Sequence, residues 1–118
     1  MNKSLRVKNL KKDRLMSSVV KRLKQGIKTP ICKIIVFGSR IKGTTGPDSD
    51  YDILLVLKEK REDIINRLYD VVLDFLLEEG IDISLKIYTE KDFNEKMLLG
   101  TPFMIELRKT GVEVWSQE

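Results

Sequence analysis

The sequence contains no histidine and a single cysteine, Cys32. That excludes an intrachain disulfide, a zinc site built from Cys and His, and every mechanism in which an imidazole carries the proton. Any chemistry must come from carboxylates, hydroxyls, Lys, Arg or a bound metal. Alanine is absent too, glutamine occurs twice and lysine fifteen times. Thermophilic usage and a coding bias toward Ile and Lys explain this equally well, so it carries no functional conclusion. No apolar run approaches the roughly 18 residues a membrane span needs, and the first residues lack a signal peptide's apolar stretch. A cytoplasmic protein without membrane association is expected.

What is present is a chain of 118 residues, 42% hydrophobic and 34% charged, enough for one modest core. No repeat, low-complexity tract or linker divides it, so a single domain over residues 1–118 is expected, with 1–12 a basic extension, helical or flexible. The net charge of +4 is unevenly spread. Residues 1–28 carry ten Lys/Arg against Asp13, a net +9; the remaining residues carry twelve against seventeen acids, a net −5. A basic front can be a polyanion-binding arm or the wet face of a helix. Leu15, Met16, Val19, Val20 and Leu23 fall at helical spacing, with Lys21, Arg22 and Lys24 on the other side. This favours the helix over nucleic-acid binding.

Further along, residues 31–37 form an apolar run that reads as a buried strand, ending abruptly at Gly38-Ser39-Arg40-Ile41-Lys42-Gly43. A polar loop follows, then a second strand over residues 50–57. Ile64, Ile65, Leu68, Val71, Val72, Phe75 and Leu76 mark a long helix closed by Gly80, with Leu73 and Leu77 outside its main stripe, either covering a partner or exposed singly as surface leucines commonly are. Residues 81–87 alternate cleanly, Ile81, Ile83, Leu85 and Ile87 on one face and Asp82, Ser84 and Lys86 on the other. Thr89 with Asp92 begins a helix that Gly100 stops, Thr101-Pro102 begins another that Gly111 ends, and residues 112–115 read as a last strand. The order implies an α/β or α+β sheet with helices against one face.

The informative stretch is Gly38-Ser39, ten intervening residues, then Asp50-Tyr51-Asp52. In a strand Asp50 and Asp52 share a face, and adjacent carboxylates repel unless a cation or proton compensates. If the strand carrying Asp82 neighbours this one, three carboxylates converge, a donor set suited to Mg²⁺ or Mn²⁺. A glycine turn leading into Arg40 and Lys42 offers backbone N–H groups, a hydroxyl and positive charge to phosphate oxygens. Together these are the equipment of metal-assisted phosphoryl or nucleotidyl transfer. Taken singly, each has a plain structural reading: a tight turn with a capping serine, a solvated Asp-rich turn, a surface strand residue. Their joint occurrence beside apolar strands carries the functional reading. Competing motifs fail on the letters. Thr44 stands where a P-loop needs Lys, Ile53 where an EF-hand needs Gly, and no dinucleotide fingerprint fits. Cys32, Phe103 and Trp115 read as packing residues.

Phe37-Gly38-Ser39-Arg40, the spacing to Asp50-Tyr51-Asp52-Ile53, and the later Ile81-Asp82-Ile83 resemble the minimal nucleotidyltransferase (MNT) group of the polymerase-β-like nucleotidyltransferase superfamily. The resemblance implies a small mixed β-sheet flanked by helices and transfer of a nucleoside monophosphate from an NTP. It implies Gly38 and Ser39 as the triphosphate turn, with Arg40 and Lys42 beside it. Asp50 and Asp52 become paired metal ligands, and Asp82 a third acid that holds the catalytic metal and assists deprotonation of the acceptor. Lys42 departs from the arginine many relatives carry, keeping the charge and losing the bidentate fork. Small members of the group pair with HEPN-domain toxins, so the resemblance further implies an antitoxin-type, ATP- and Mg²⁺-dependent adenylyltransferase acting on a HEPN protein hydroxyl. The alternatives are a small-molecule nucleotidyltransferase and a noncatalytic interaction module; a homo-oligomer is compatible with each. The short chain leaves little room for a separate acceptor-binding domain, so that surface is expected on a partner.

Overall fold

The computed structural model describes residues 14–25, 27, 30–38 and 51–117. Helix α1, Arg14–Lys24, buries Met16, Val19 and Leu23 at the expected spacing and leaves Lys21 and Lys24 exposed. Arg22 departs from the simple wet-face picture by turning toward a later helix. Strand β1, Ile31–Phe37, and strand β2, Tyr51–Leu57, lie antiparallel, with Ile35 opposite Leu54 and Phe37 opposite Asp52. Helix α2, Glu62–Glu79, leads to strand β3, Ile83–Thr89, which runs parallel to β2. Helices α3, Glu90–Leu99, and α4, Pro102–Thr110, precede strand β4, Val112–Ser116, which pairs antiparallel with β1. The sheet order is β3-β2-β1-β4, a mixed four-stranded sheet with four described helices, an α+β fold.

The helices cover both faces of this sheet, correcting the one-face expectation. Ile34 and Val36 of β1 and Tyr51, Ile53, Leu55 and Leu57 of β2 pack against α1 and α2 through Val19, Leu23, Leu68 and Phe75. Cys32, Ile35, Leu54 and Val56 face the other way, against Phe93 of α3 and Met104 and Leu107 of α4. The reason is in the central strands themselves. Their apolar runs are continuous rather than alternating, so each face needs its own cover. β3, at the sheet edge, keeps the alternating pattern, with Ile83 buried and Ser84 and Lys86 exposed.

β3 also starts two residues later than residues 81–87 predict. Gly80 adopts φ +68° and its N–H bonds to Leu76 O at 3.0 Å, while the Ile81 N–H bonds to Phe75 O at 3.3 Å. Ile81 is therefore still closing α2 and has no N–H left for a strand. Thr89, at the other end, finishes β3 and caps α3, its Oγ1 accepting from the Asp92 N–H at 3.1 Å.

Candidate active site

Two features of the sequence motif meet where β1 ends and β2 begins. Phe37 is the register partner of Asp52, so the residue after it, Gly38, leaves the sheet beside the Asp52 side chain. Gly38 has φ +87°, a region L side chains rarely adopt. A Cβ there would overlap Asp52 Oδ2 and lie 3.1 Å from its Cγ. The glycine is thus required twice over, by its dihedral and by the carboxylate lying against its backbone. Gly38, the first residue of the turn expected to cradle phosphates, is in contact with a carboxylate expected to hold metal.

Asp82 is brought to the same end of the sheet through the parallel pair. The Tyr51 N–H donates to Asp82 O at 3.0 Å, and Asp52 is the register partner of Ser84, two residues beyond Asp82. Asp82 is exposed and precedes β3 instead of lying within it. Ser39, Arg40, Lys42 and Asp50 lie outside the described residues. Among the described residues no group of three or more Asp, Glu, Cys or His forms a metal-binding cluster, the two described site acids being Asp52 and Asp82. Two carboxylates without histidine or thiolate are a hard oxygen donor set, compatible with Mg²⁺ or Mn²⁺ and poorly suited to softer metals.

Sequence reasoning passed over a cluster beside Phe37, the residue before Gly38. The Phe103 ring, at the start of α4, packs edge-on against Phe37 with centroids 5.4 Å apart. Lys86 Nζ stands 5.4 Å from the Phe103 centroid, within cation–π range. Lys86 pairs with Leu54, two residues along from Asp52, so it carries positive charge on the sheet face that Asp52 shares. The alternation of Asp82, Ser84 and Lys86 was the available signal. Phe103 is a packing residue, as expected, and it is also the support on which Lys86 rests.

The perturbed titrating groups lie at the opposite end. Lys58, just past β2, donates to Glu90 at 2.8 Å, which holds the Glu90 carboxyl below its ordinary range and raises the Lys58 ammonium. Burial, and then the Glu90 charge, push the Cys32 thiol up. These groups tie the start of α3 to the sheet and take no part in the Asp52 site. The cavity lined by Met16, Val20, Lys21, Lys24 and Val114 is likewise elsewhere, between α1 and β4, and has no acid in its lining.

The nucleotidyltransferase domain family matches residues 16–106, and the chain belongs to that family. It is 31% identical over 87 residues to a candidate protein adenylyltransferase of Methanocaldococcus jannaschii, covering 71% of this chain and 59% of that protein. The chain thus spans about three-fifths of that curated relative's length. Among solved structures, a chain of a toxin–antitoxin complex with AMP-PNP superposes with a TM-score of 0.60 at 18% identity, over 86% of this chain and 73% of that one. A chain of the complex of tri-AMPylated Shewanella oneidensis HEPN toxin with MNT antitoxin gives 0.51 at 13% identity, over 98% and 74%. These two structures share the fold. No described helix is long and apolar enough to cross a membrane.

Proposed function

We propose that the chain is a nucleotidyltransferase that moves AMP from ATP to a hydroxyl of a partner protein, a HEPN-domain toxin, and so acts as an antitoxin. The observation that carries this is the contact between the Gly38 backbone and the Asp52 carboxylate in a member of the nucleotidyltransferase domain family. The relative described as a protein adenylyltransferase supports a protein acceptor over a small molecule. The toxin–antitoxin neighbours support the HEPN partner and the adenine nucleotide. The reading implies a single catalytic domain working in the cytoplasm.

In this reading the turn at Gly38 and Ser39, with Arg40 and Lys42, holds the triphosphate oxygens. Asp50, Asp52 and Asp82 hold divalent cations, Mg²⁺ or Mn²⁺, which when bound neutralise charge on the phosphates and on the attacking and leaving oxygens. Asp82 takes the proton of the acceptor hydroxyl. The hydroxyl oxygen forms a bond to the α-phosphorus, the bond from that phosphorus to the bridging oxygen breaks, and pyrophosphate leaves. Lys86 adds positive charge on the same face.

The test is transfer of label from α-labelled ATP, with Mg²⁺, to the purified HEPN protein. Native chain should label it, and Asp52→Asn should lower the rate at least about 100-fold, the upper end of what an outer-shell loss costs at metal sites. Equal labelling by both would remove Asp52 from the chemistry. No labelling by the native chain would leave a noncatalytic interaction module as the better account.

A further inference from the structure

The outer face of α2 is apolar where a solitary helix would be polar. Tyr69, Leu73, Leu76 and Leu77 are 47%, 50%, 43% and 73% exposed. At three- and four-residue spacing they form one stripe along two turns, separate from the buried stripe of Ile64, Leu68, Val71 and Phe75. The charge around the stripe has one sign. α2 carries six acids and a single base, Arg67, a net −5 over 18 residues. Arg22 reaches Asp74 and Glu78 from α1, and Arg61 pairs with Asp63. Asp70 and Glu79 border the stripe and are exposed.

We propose that this face docks the acceptor partner, through a helix whose aliphatic ridge is bordered by lysines and arginines. A second copy of the chain is the poorer occupant, because two copies meeting here would set acid against acid. The stripe ends close to Asp82 along the chain. Its last residues, Leu76 and Leu77, lie in the final turn of α2, and only Gly80 and Ile81 separate that helix from Asp82. The inference rests on the adenylyltransferase reading for its choice of partner, while the surface itself rests on exposure and charge.

The experiment measures affinity of the full chain for the purified HEPN protein, beside transfer of AMP to it. Leu73→Glu/Leu77→Glu should weaken binding at least about 100-fold, as the loss of two central anchors does. Asp70→Lys/Glu79→Lys should weaken it at least about tenfold and flatten its salt dependence. Both sites are exposed, so melting temperature and ATP-analogue affinity should stay at native values; Asp52→Asn should bind the partner normally. Native affinity in the leucine variant would overturn the proposal, and so would self-association of the native chain abolished by the same substitutions. Native binding through the leucines without AMP transfer would keep the surface and remove the catalytic reading. Transfer that survives the leucine substitutions with unchanged affinity would do the reverse.

Discussion

Gly38 is the residue on which the site turns. Its φ of +87° and the Asp52 carboxylate against its backbone leave no room for a side chain. Gly38→Ala should therefore displace Asp52 as well as strain the turn, the strain alone being of order 1–3 kcal/mol. The expected result is a melting temperature several degrees lower, by about 4 °C per kcal/mol, and AMP transfer reduced as far as in Asp52→Asn. Native activity in Gly38→Ala would show that the contact has no role. Cys32 is the contrasting case, a nucleophile made inert by its surroundings. It is 6% exposed, and burial and Glu90 favour its neutral thiol. Because the folded thiol titrates higher than the unfolded one, its contribution to stability is complete below the unfolded value. That contribution is lost as pH rises through the raised one. Labelling of the native protein by a thiol reagent at pH 8 should be slow and become fast on unfolding; rapid native labelling would contradict the packing.

At the scale of elements, most boundaries follow from single residues whose chemistry is unambiguous. Gly80 and Gly100 end helices in left-handed conformations, and Thr89 and Thr101 cap the helices that follow them. Thr101 Oγ1 accepts from the Met104 N–H at 3.4 Å, while Met104 anchors α4 in the second core. Thr101→Ala should cost about 1 kcal/mol, read as a lower denaturant midpoint with an unchanged slope. An unchanged midpoint would mean the cap is idle. The paired strands, the approach of Gly38 to Asp52 and the amphipathic α1 were legible because each rests on a local pattern. Three things were not, and each depends on tertiary context. The second helical layer follows from continuous strands, whose periodicity does not say which elements cover them. The late start of β3 depends on which carbonyl takes the Ile81 N–H. Lys86 reaches the sheet face of Asp52 through a parallel register and lies over Phe103, fifty-one residues from Asp52 and seventeen from Lys86 in the chain.

Across the whole molecule, the sequence's uneven charge becomes an arrangement of surfaces. The basic residues of α1 divide, Lys21 facing outward, Lys24 setting its Nζ 4.3 Å from the Trp115 ring centroid on β4, and Arg22 crossing to Asp74, Glu78 and the Phe75 ring on α2. Exposed pairs of this kind contribute at most about 1 kcal/mol each, so their effect is local. The remaining α2 acids surround an open aliphatic stripe whose C-terminal end approaches Asp82. The candidate site gathers at one end of the sheet, where β1 delivers Gly38, β2 delivers Asp52, and α2 leads to Asp82. The lack of histidine fits this arrangement, since carboxylates with divalent cations can carry both charge and proton.

The most direct measurement of the central claim is the intact mass of the HEPN protein after incubation with the native chain, ATP and Mg²⁺. The account predicts a gain of one or more adenylyl groups, with pyrophosphate released, abolished by Asp52→Asn and by chelation of the metal. An unmodified partner under conditions in which the two proteins bind would contradict it.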